Sequence, residues 1–198
     1  GCRSRGCRGI AGGGEGMIHE SSPWKAALVR DGELIARWAE KPPSGRRAFL
    51  IERKLILAAY SLRKLSDDHK LSTATLKASI KVKLSKPLSQ GFSNILHWLD
   101  RYFDLDNPVT LTLTWRRILN MMIHSAAFAE VQDDAGRCVG FLVTSDQELQ
   151  RGLVHVELSD FLRLIEIAAN DYPTEIRQMW HPAEGRWVTW AGKGGELA

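Results

Sequence analysis

Cysteine is scarce in this chain, and so are long apolar runs. Three cysteines occur in 198 residues, and since Cys2 and Cys7 both lie in the first sixteen, Cys138 has no partner in the remainder. A lone cysteine provides no disulfide framework and fits a reducing compartment. No apolar run approaches the roughly 18 residues that span a bilayer, and no segment has the layout of a signal peptide. The sequence therefore predicts a cytoplasmic protein that has no membrane among its partners.

Several motifs of nucleotide-dependent and hydrolytic enzymes are also missing. The chain contains no P-loop, no G-x-G-x-x-G after a predicted strand, no G-x-S-x-G and no H-E-x-x-H, so these enzyme classes lose their usual sequence support. His155 and Glu157 share one face of a predicted strand and Asp160 follows, but this spacing is typical of a surface pair and not diagnostic of a metal. We therefore expect neither a metal nor an organic cofactor.

The first sixteen residues differ from the rest of the chain. They hold seven of the 17 glycines and carry no periodic apolar pattern, whereas Met17 opens an ordinary globular sequence. Such a segment cannot build a core. We interpret residues 1–16 as a disordered, glycine-rich leader or upstream read-through, and residues 17–198 as a single α+β domain.

The charge of the chain is unevenly distributed. Between Met17 and Lys86 there are 15 Lys and Arg against 7 Asp and Glu, whereas from Pro87 onward there are 9 against 15. A basic first half would suit a polyanion such as nucleic acid. The alternative is that the two halves attract each other, within one chain or between chains.

Apolar residues at helical spacing predict several helices. Ser22 followed by Pro23 is a typical helix start, although Asp31-Gly32 leaves a strand-turn-strand alternative open for residues 23–41. The second helix begins at Ser44 or Gly45 and should be the central helix of the core, because it is apolar on most of its surface. Three further helices are predicted, from Ser93 to Phe103, after an N-cap at Thr112 or Thr114, and after an N-cap at Ser159.

Alternating apolar and polar residues predict strands between these helices. The clearest pattern runs from Thr75 to Leu84; a hairpin joins 126–132 to 137–144, a strand covers 152–158, and a last hairpin lies near the C-terminus. This order favours an α+β fold, in which N-terminal helices pack on a mostly antiparallel, hairpin-connected sheet with interspersed helices.

A row of lysines on the solvent face of the predicted 75–84 strand is a candidate nucleic-acid-binding surface. Its members are Lys77, Lys81, Lys83 and, just beyond the strand, Lys86. Lysines at this spacing would follow successive phosphates. Exposed lysines also protect a sheet edge from aggregation, which requires no ligand.

A polar stripe on the otherwise apolar helix TWRRILNMMIHS is a candidate catalytic site. Arg117, Asn120 and His124 lie on one face at 3.6 residues per turn. A histidine titrates near neutral pH, an arginine can hold a phosphate, and an asparagine can orient either partner. The alternative is a solvated face whose histidine favours the helix C-terminus.

Arg117, six further residues and His124 resemble the loose R-x4-6-H pattern of HEPN-type ribonucleases, which are small helical domains that usually pair two such motifs across a dimer interface. The resemblance covers about one helix. It implies a metal-independent endoribonuclease that acts as a homodimer, in which Arg117 binds phosphate or stabilises charge and His124 handles the proton.

Three tryptophans near the C-terminus, Trp180, Trp187 and Trp190, lie close in sequence to Arg177, His181 and Arg186, a composition that suits a stacking or partner-binding surface. Because Trp187 and Trp190 are separated by an odd number, we expect one of them to anchor the hairpin and one to be exposed.

These features together favour a non-catalytic binding or accessory module whose basic first half contacts RNA, DNA or an acidic protein partner. Two alternatives stay open. One is the HEPN-like ribonuclease, and the other is a homo-oligomeric structural or accessory protein assembled through its charge asymmetry.

Overall fold

A computed structural model describes residues 18–88, 98–183 and 185–194 of the chain. The predicted leader and the first part of the helix predicted from Ser93 lie outside the described residues. The helices of the described part are α1 Ser22–Ala39, α2 Gly45–Asp67, α3 Thr73–Lys77, α4 Leu99–Tyr102, α5 Trp115–Ile123 and α6 Leu158–Asn170. Its strands are β1 Ser79–Ser85, β2 Val109–Thr114, β3 Ser125–Gln132, β4 Cys138–Ser145, β5 Leu153–Glu157, β6 Glu175–His181 and β7 Arg186–Gly192.

The first segment is the helix α1, so the strand-turn-strand alternative at Asp31-Gly32 is wrong. Gly32 is buried inside the helix, where a Cβ atom would lie 3.4 Å from the Ile165 side chain. The glycine therefore lies in the contact between α1 and α6 and not in a turn.

Helix α2 is the central helix of the core, as the sequence predicts. The hydroxyl of its N-cap Ser44 accepts a hydrogen bond from the backbone N–H of Arg47 at 3.1 Å, which satisfies one of the free donors at the helix start. Along its length, Leu55, Ala58 and Leu62 are fully buried.

The prediction of one strand from Thr75 to Leu84 is partly wrong, because the chain is helical through Lys77 and β1 begins only at Ser79. The reason is a distant contact. The Asp171 carboxylate accepts hydrogen bonds from the Ser72 backbone N–H at 2.6 Å and from the Thr75 hydroxyl at 2.5 Å. This contact stabilises the helical turn α3 against the alternating pattern, and it removes Lys77 from the face that carries Lys81 and Lys83.

Five strands form one antiparallel sheet in the order β2-β1-β5-β4-β3, and β6 pairs with β7 in a separate hairpin. The predicted hairpins and the 152–158 strand are confirmed. Strand β2, with the alternating sequence Val-Thr-Leu-Thr-Leu-Thr, is an additional strand at a position where the sequence analysis predicts only helix caps at Thr112 or Thr114. The α+β class with a mostly antiparallel sheet is confirmed.

The two faces of the sheet are covered differently. Val82, Phe141 and Val154 point to the main core beneath α1, α2, α5 and α6, whereas Leu153 on the opposite face packs with Phe103 in a smaller cluster. The alternation of β5 thus separates the two clusters.

Two helices begin directly at the ends of strands. Thr114 is both the last residue of β2 and the N-cap of α5, as predicted. The predicted N-cap Ser159 is wrong, since α6 already begins at Leu158 with Glu157 in the N-cap position, directly after β5.

Within the described residues, no helix is both long and apolar enough to cross a membrane.

Candidate functional site beside helix α5

Helix α5 presents its polar stripe to solvent because its other side is core. The Thr114 hydroxyl accepts a hydrogen bond from the backbone N–H of Arg117 at 3.4 Å, and Trp115, Ile118 and Met122 are buried. This fixes the rotation of the helix and turns Arg117 and Asn120 outward.

The predicted stripe residues Arg117, Asn120 and His124 line one cavity, which we call the stripe cavity. Its volume is about 450 Å³, within the range of ordinary small-molecule sites. The rest of its wall comes from α2, from α5 itself, and from the end of β4 with the loop that follows it, namely Arg63, Met121, Ser145, Asp146, Gln147 and Glu148. The structure therefore brings all three predicted residues together.

Arg117 is held by Glu148 through two hydrogen bonds, 3.1 Å from Nε to Oε1 and 2.7 Å from Nη2 to Oε2. The Arg151 guanidinium lies 3.3 Å from both oxygens of the same carboxylate. Burial would raise the pKa of Glu148, but the hydrogen bond and charge of Arg117, together with Arg151, outweigh burial and hold the pKa below its usual value. This carboxylate is therefore ionised at neutral pH.

His124 and Asn120 have free side chains within the described part of the chain. The backbone N–H of His124 donates to the Asn120 carbonyl at 3.0 Å and ends the helix. The imidazole itself is exposed, and no described group forms a hydrogen bond with it or with the Asn120 amide. Both side chains are available to a ligand in the stripe cavity.

Asp67, at the end of α2, links the stripe cavity to a second cleft. Its carboxylate pairs with Arg63 at 3.3 Å and with Arg116 at 3.4 Å. Arg63 is largely buried, its Nη1 atom has no hydrogen-bond partner among the described residues, and burial lowers the pKa of its guanidinium. Arg63 lines the stripe cavity, while Asp67 and Arg116 line the second cleft.

The second cleft, which we call the basic cleft, has a volume of about 660 Å³ and lies between α2, α3, α5 and the β6–β7 hairpin. The backbone N–H of Ala191 donates to the Thr73 hydroxyl at 2.9 Å, which attaches the hairpin to α3. The ionisable and aromatic residues that line the basic cleft are Asp67, His69, Lys77, Arg116, His181, Arg186 and Trp187. Among the described lining residues, three are permanent cations and one is a carboxylate.

Trp187 supplies an exposed aromatic surface at the basic cleft. Its side chain is 63% exposed and packs edge to face against Trp180, its cross-strand neighbour, with ring centroids 5.8 Å apart. Trp190 is half-buried. The Trp187 ring therefore contacts Trp180 at one edge and leaves much of its surface open to solvent.

The predicted lysine row does not form one surface. Lys77 lines the basic cleft, whereas Lys81 and Lys83 lie on the outer face of the sheet and Lys86 follows β1. All four side chains are exposed. Lys83 pairs with Glu157 at 3.6 Å, which neutralises part of the charge of the sheet face.

His155 and Glu157 lie near each other on β5, with 3.9 Å between Nε2 and Oε1, but the His155 side chain is only 16% exposed and thus lies mostly below the surface. Burial lowers the pKa of His155, although Glu157 opposes the shift. No group of three metal-ligating side chains occurs among residues 18–88, 98–183 and 185–194.

Cys138 is a buried free thiol, and burial raises its pKa to about 11, so it is a poor nucleophile.

Sequence reasoning missed Arg63 and Glu148, and it did not connect Lys77 with Trp187. Arg63 and Arg117 are far apart in the chain, and so are Lys77 and Trp187, and no local pattern links either pair. No local signal distinguishes Arg63, because α2 carries several other charged residues, including its direct neighbour Lys64.

No protein-family model, no curated protein and no solved structure matches this chain. The α+β fold described above differs from the helical bundle that the resemblance to HEPN-type ribonucleases implies.

Proposed function

We propose that this protein is a cytoplasmic module that binds single-stranded nucleic acid in the basic cleft. One observation carries the proposal: Lys77, Arg116 and Arg186 line the same cleft as the exposed ring of Trp187. Single-strand binding surfaces combine cations that follow the phosphates with aromatic rings that stack on the bases.

The charge of the basic cleft suits phosphates. Lys77 is exposed, and no described carboxylate forms an ion pair with it. Arg116 is half exposed, and its only described ion pair is with Asp67 at 3.4 Å, a distance at which an exposed pair is weak. A phosphate can therefore replace Asp67 as the partner of Arg116 at small cost.

The tryptophan favours nucleic acid over an acidic protein partner. An acidic peptide would contact only the cations of the cleft. A nucleic acid would contact the cations through its phosphates and would also cover the exposed Trp187 ring with a base. Alanine substitution of a stacking aromatic costs about 1–3 kcal/mol per base. The Trp180 ring behind Trp187 limits its movement, which reduces the entropy lost on binding.

The test is fluorescence anisotropy of a labelled single-stranded oligonucleotide of about 12 nucleotides, a length typical of such surfaces, measured at several salt concentrations. We expect Lys77→Glu, Arg116→Gln and Trp187→Ala each to weaken binding at least several-fold. Lys77→Glu and Arg116→Gln should also reduce the salt slope by about one unit per lost phosphate contact.

The matched control is Lys81→Glu together with Lys83→Glu, a charge reversal on the exposed face of β1 outside the cleft. If this double variant weakens binding while the cleft variants do not, the sheet face is the binding surface and the cleft assignment is wrong. If the wild-type protein binds no single-stranded DNA or RNA at low salt, the proposed function fails.

A second candidate function is metal-independent RNA cleavage in the stripe cavity. The observation that favours it is the meeting of Arg117, Asn120 and His124 at one cavity together with Asp146 and Glu148. A 2′-hydroxyl attacks the adjacent phosphate, its proton passes to a base such as His124, and an acid protonates the leaving 5′-oxygen. Arg117 or Arg63 would stabilise the charge on the phosphate.

Cleavage of RNA in the presence of a chelator tests this candidate. His124→Ala should abolish cleavage, while His19→Ala, at an exposed histidine that lines neither cavity, should not. Cleavage that persists in His124→Ala with unchanged rate would exclude His124 as the proton carrier, and absence of cleavage in the wild-type protein would exclude the candidate.

A further inference from the structure

The stripe cavity shares a wall with a third cavity, which we call the leucine cavity. The leucine cavity has a volume of about 330 Å³, and both cavities are lined by Arg117, Met121 and Glu148. The Arg117–Glu148 ion pair thus divides a polar space from an apolar one.

The leucine cavity exists because the helices do not fully cover the sheet beside β2. Leu84 on β1, Leu111 on β2 and Val154 on β5 point to the helical side of the sheet and line this cavity. Leu84 and Leu111 are only partly buried, although they belong to the face that packs the main core. Filling this space would remove apolar surface from water.

The geometry of Glu148 resembles that of a bound carboxylate ligand. Its two oxygens accept two parallel hydrogen bonds from Arg117, the arrangement in which a guanidinium recognises a carboxylate. Its backbone carbonyl accepts from the N–H of Arg151 at 2.8 Å, so the loop places it there. The leucine cavity is lined by Arg117 and Arg151 against Glu148. The stripe cavity adds Arg63 and Asp146, so three arginines against two carboxylates leave a net positive charge beside an apolar space.

We propose that these joined cavities bind an amphipathic monocarboxylate, an unbranched alkyl acid whose carboxylate takes the place of Glu148 on Arg117 and whose chain lies against Leu84, Leu111 and Val154. This inference is independent of single-strand binding in the basic cleft, since it uses no residue that carries charge or stacking there, but it shares Arg117 with the second candidate function. The head group of the ligand is anionic because it contacts the Arg117 guanidinium. The tail of the ligand is apolar because the wall of the leucine cavity is apolar.

The experiment is a titration of isotope-labelled protein with decanoate, hexanoate, decan-1-ol and decyltrimethylammonium, each below its micelle concentration, with amide shifts of Leu111 and Val154 as the readout. Decanoate should bind more tightly than hexanoate, by up to about fourfold for each added methylene. It should also bind more tightly than the alcohol and the cation. Failure of decanoate to shift these amides overturns the proposal.

Two variants assign the head group. In Arg117→Gln the preference for decanoate over decan-1-ol should disappear, and in Glu148→Gln decanoate should bind several-fold more tightly, because a neutral amide competes less for the guanidinium. The matched control is Arg137→Gln, since Arg137 pairs with Asp133 on the β3–β4 turn and should leave binding unchanged. A preference for decanoate that survives in Arg117→Gln, or an unchanged affinity in Glu148→Gln, contradicts the proposal.

Discussion

Arg117 and Glu148 form the wall between two cavities through a two-point contact, 3.1 Å from Nε to Oε1 and 2.7 Å from Nη2 to Oε2. The contact joins α5 to the loop between β4 and β5, two parts of the chain that strand pairing does not connect. It therefore has a stabilising role in the free protein, whatever binds beside it.

The first prediction concerns the pH dependence of this ion pair. The pKa of Glu148 lies below its ordinary value of 4.5, because Arg117 and Arg151 outweigh the effect of burial. A carboxyl whose pKa is depressed by folding stabilises the fold above its unfolded pKa and loses that contribution as the pH falls through the folded pKa. Glu148→Gln should therefore cost on the order of 1 kcal/mol at pH 7, and the cost should shrink below pH 4.5.

Urea unfolding of the wild type and of Glu148→Gln between pH 7 and pH 3 measures this difference. The control is Glu166→Gln, at an exposed glutamate on α6 for which no ion pair with a described residue exists. A cost of Glu148→Gln that stays constant over the whole pH range would contradict the prediction.

Local sequence patterns predict most of the helices and strands, and they also predict that the three residues of the stripe share one face. Arg117, Asn120 and His124 share one face because the helix geometry alone determines it. Lys77 was misplaced because its conformation depends on Asp171, which hydrogen-bonds to Ser72 and Thr75 across the fold. Alternation cannot report such a contact, since it describes only neighbours in sequence.

The basic cleft could not have been predicted for a related reason. The sequence patterns of the lysine row and of the tryptophan hairpin each indicate a binding surface, but neither pattern contains information about the other. Lys77 and Trp187 meet only because β7 packs beside α3, where Ala191 donates to Thr73. A binding surface assembled from distant segments leaves no periodic signal in either segment.

The second prediction concerns Lys25, a lysine that is 1% exposed in α1. Its ammonium donates to the Asp171 carbonyl and lies 3.6 Å from the centroid of the Tyr172 ring. Burial lowers the pKa of Lys25, and the charge of Asp171 only partly opposes the shift. A lysine with a depressed folded pKa costs stability while it is charged, so stability should rise with pH between the folded pKa and 10.5.

Comparison with Lys25→Met isolates this effect, because methionine keeps the apolar stem and removes the titrating group. The free energy of unfolding of the wild type, relative to that of Lys25→Met, should increase between pH 7 and pH 10. A difference that is flat or falls over this interval would show that burial does not control the titration of Lys25.

The third prediction concerns Gly140 in the middle of β4. A Cβ atom at this position would lie 2.5 Å from His155 Nε2 and 2.6 Å from the backbone oxygen of Val156. The backbone oxygen cannot move aside without disturbing the β4–β5 ladder. Gly140→Ala should therefore lower the free energy of unfolding by about 1–3 kcal/mol. Gly45→Ala is the control, because a Cβ atom there meets nothing within 4 Å and should not destabilise the fold through a steric clash.

Thermal unfolding of both variants checks this prediction. His155→Ala in the Gly140→Ala background removes one of the two clashes and leaves the other. We expect it to recover only part of the loss, and full recovery would mean that the Val156 carbonyl imposes no constraint.

The last prediction concerns the buried ion pair that attaches α2 to the β3–β4 hairpin. Arg47 donates to the Glu130 carboxylate, to the Lys41 carbonyl and, at 2.7 Å, to the Gly136 carbonyl, and its side chain is only 3% exposed. Removing the arginine leaves Glu130 buried without its partner, which costs about 3–5 kcal/mol. Removing both charges avoids that penalty, so Arg47→Met with Glu130→Leu should be less destabilised than Arg47→Met alone. Urea unfolding of the two single variants and the double variant gives the coupling energy, and additive costs would mean that Arg47 acts through the two carbonyls and not through Glu130.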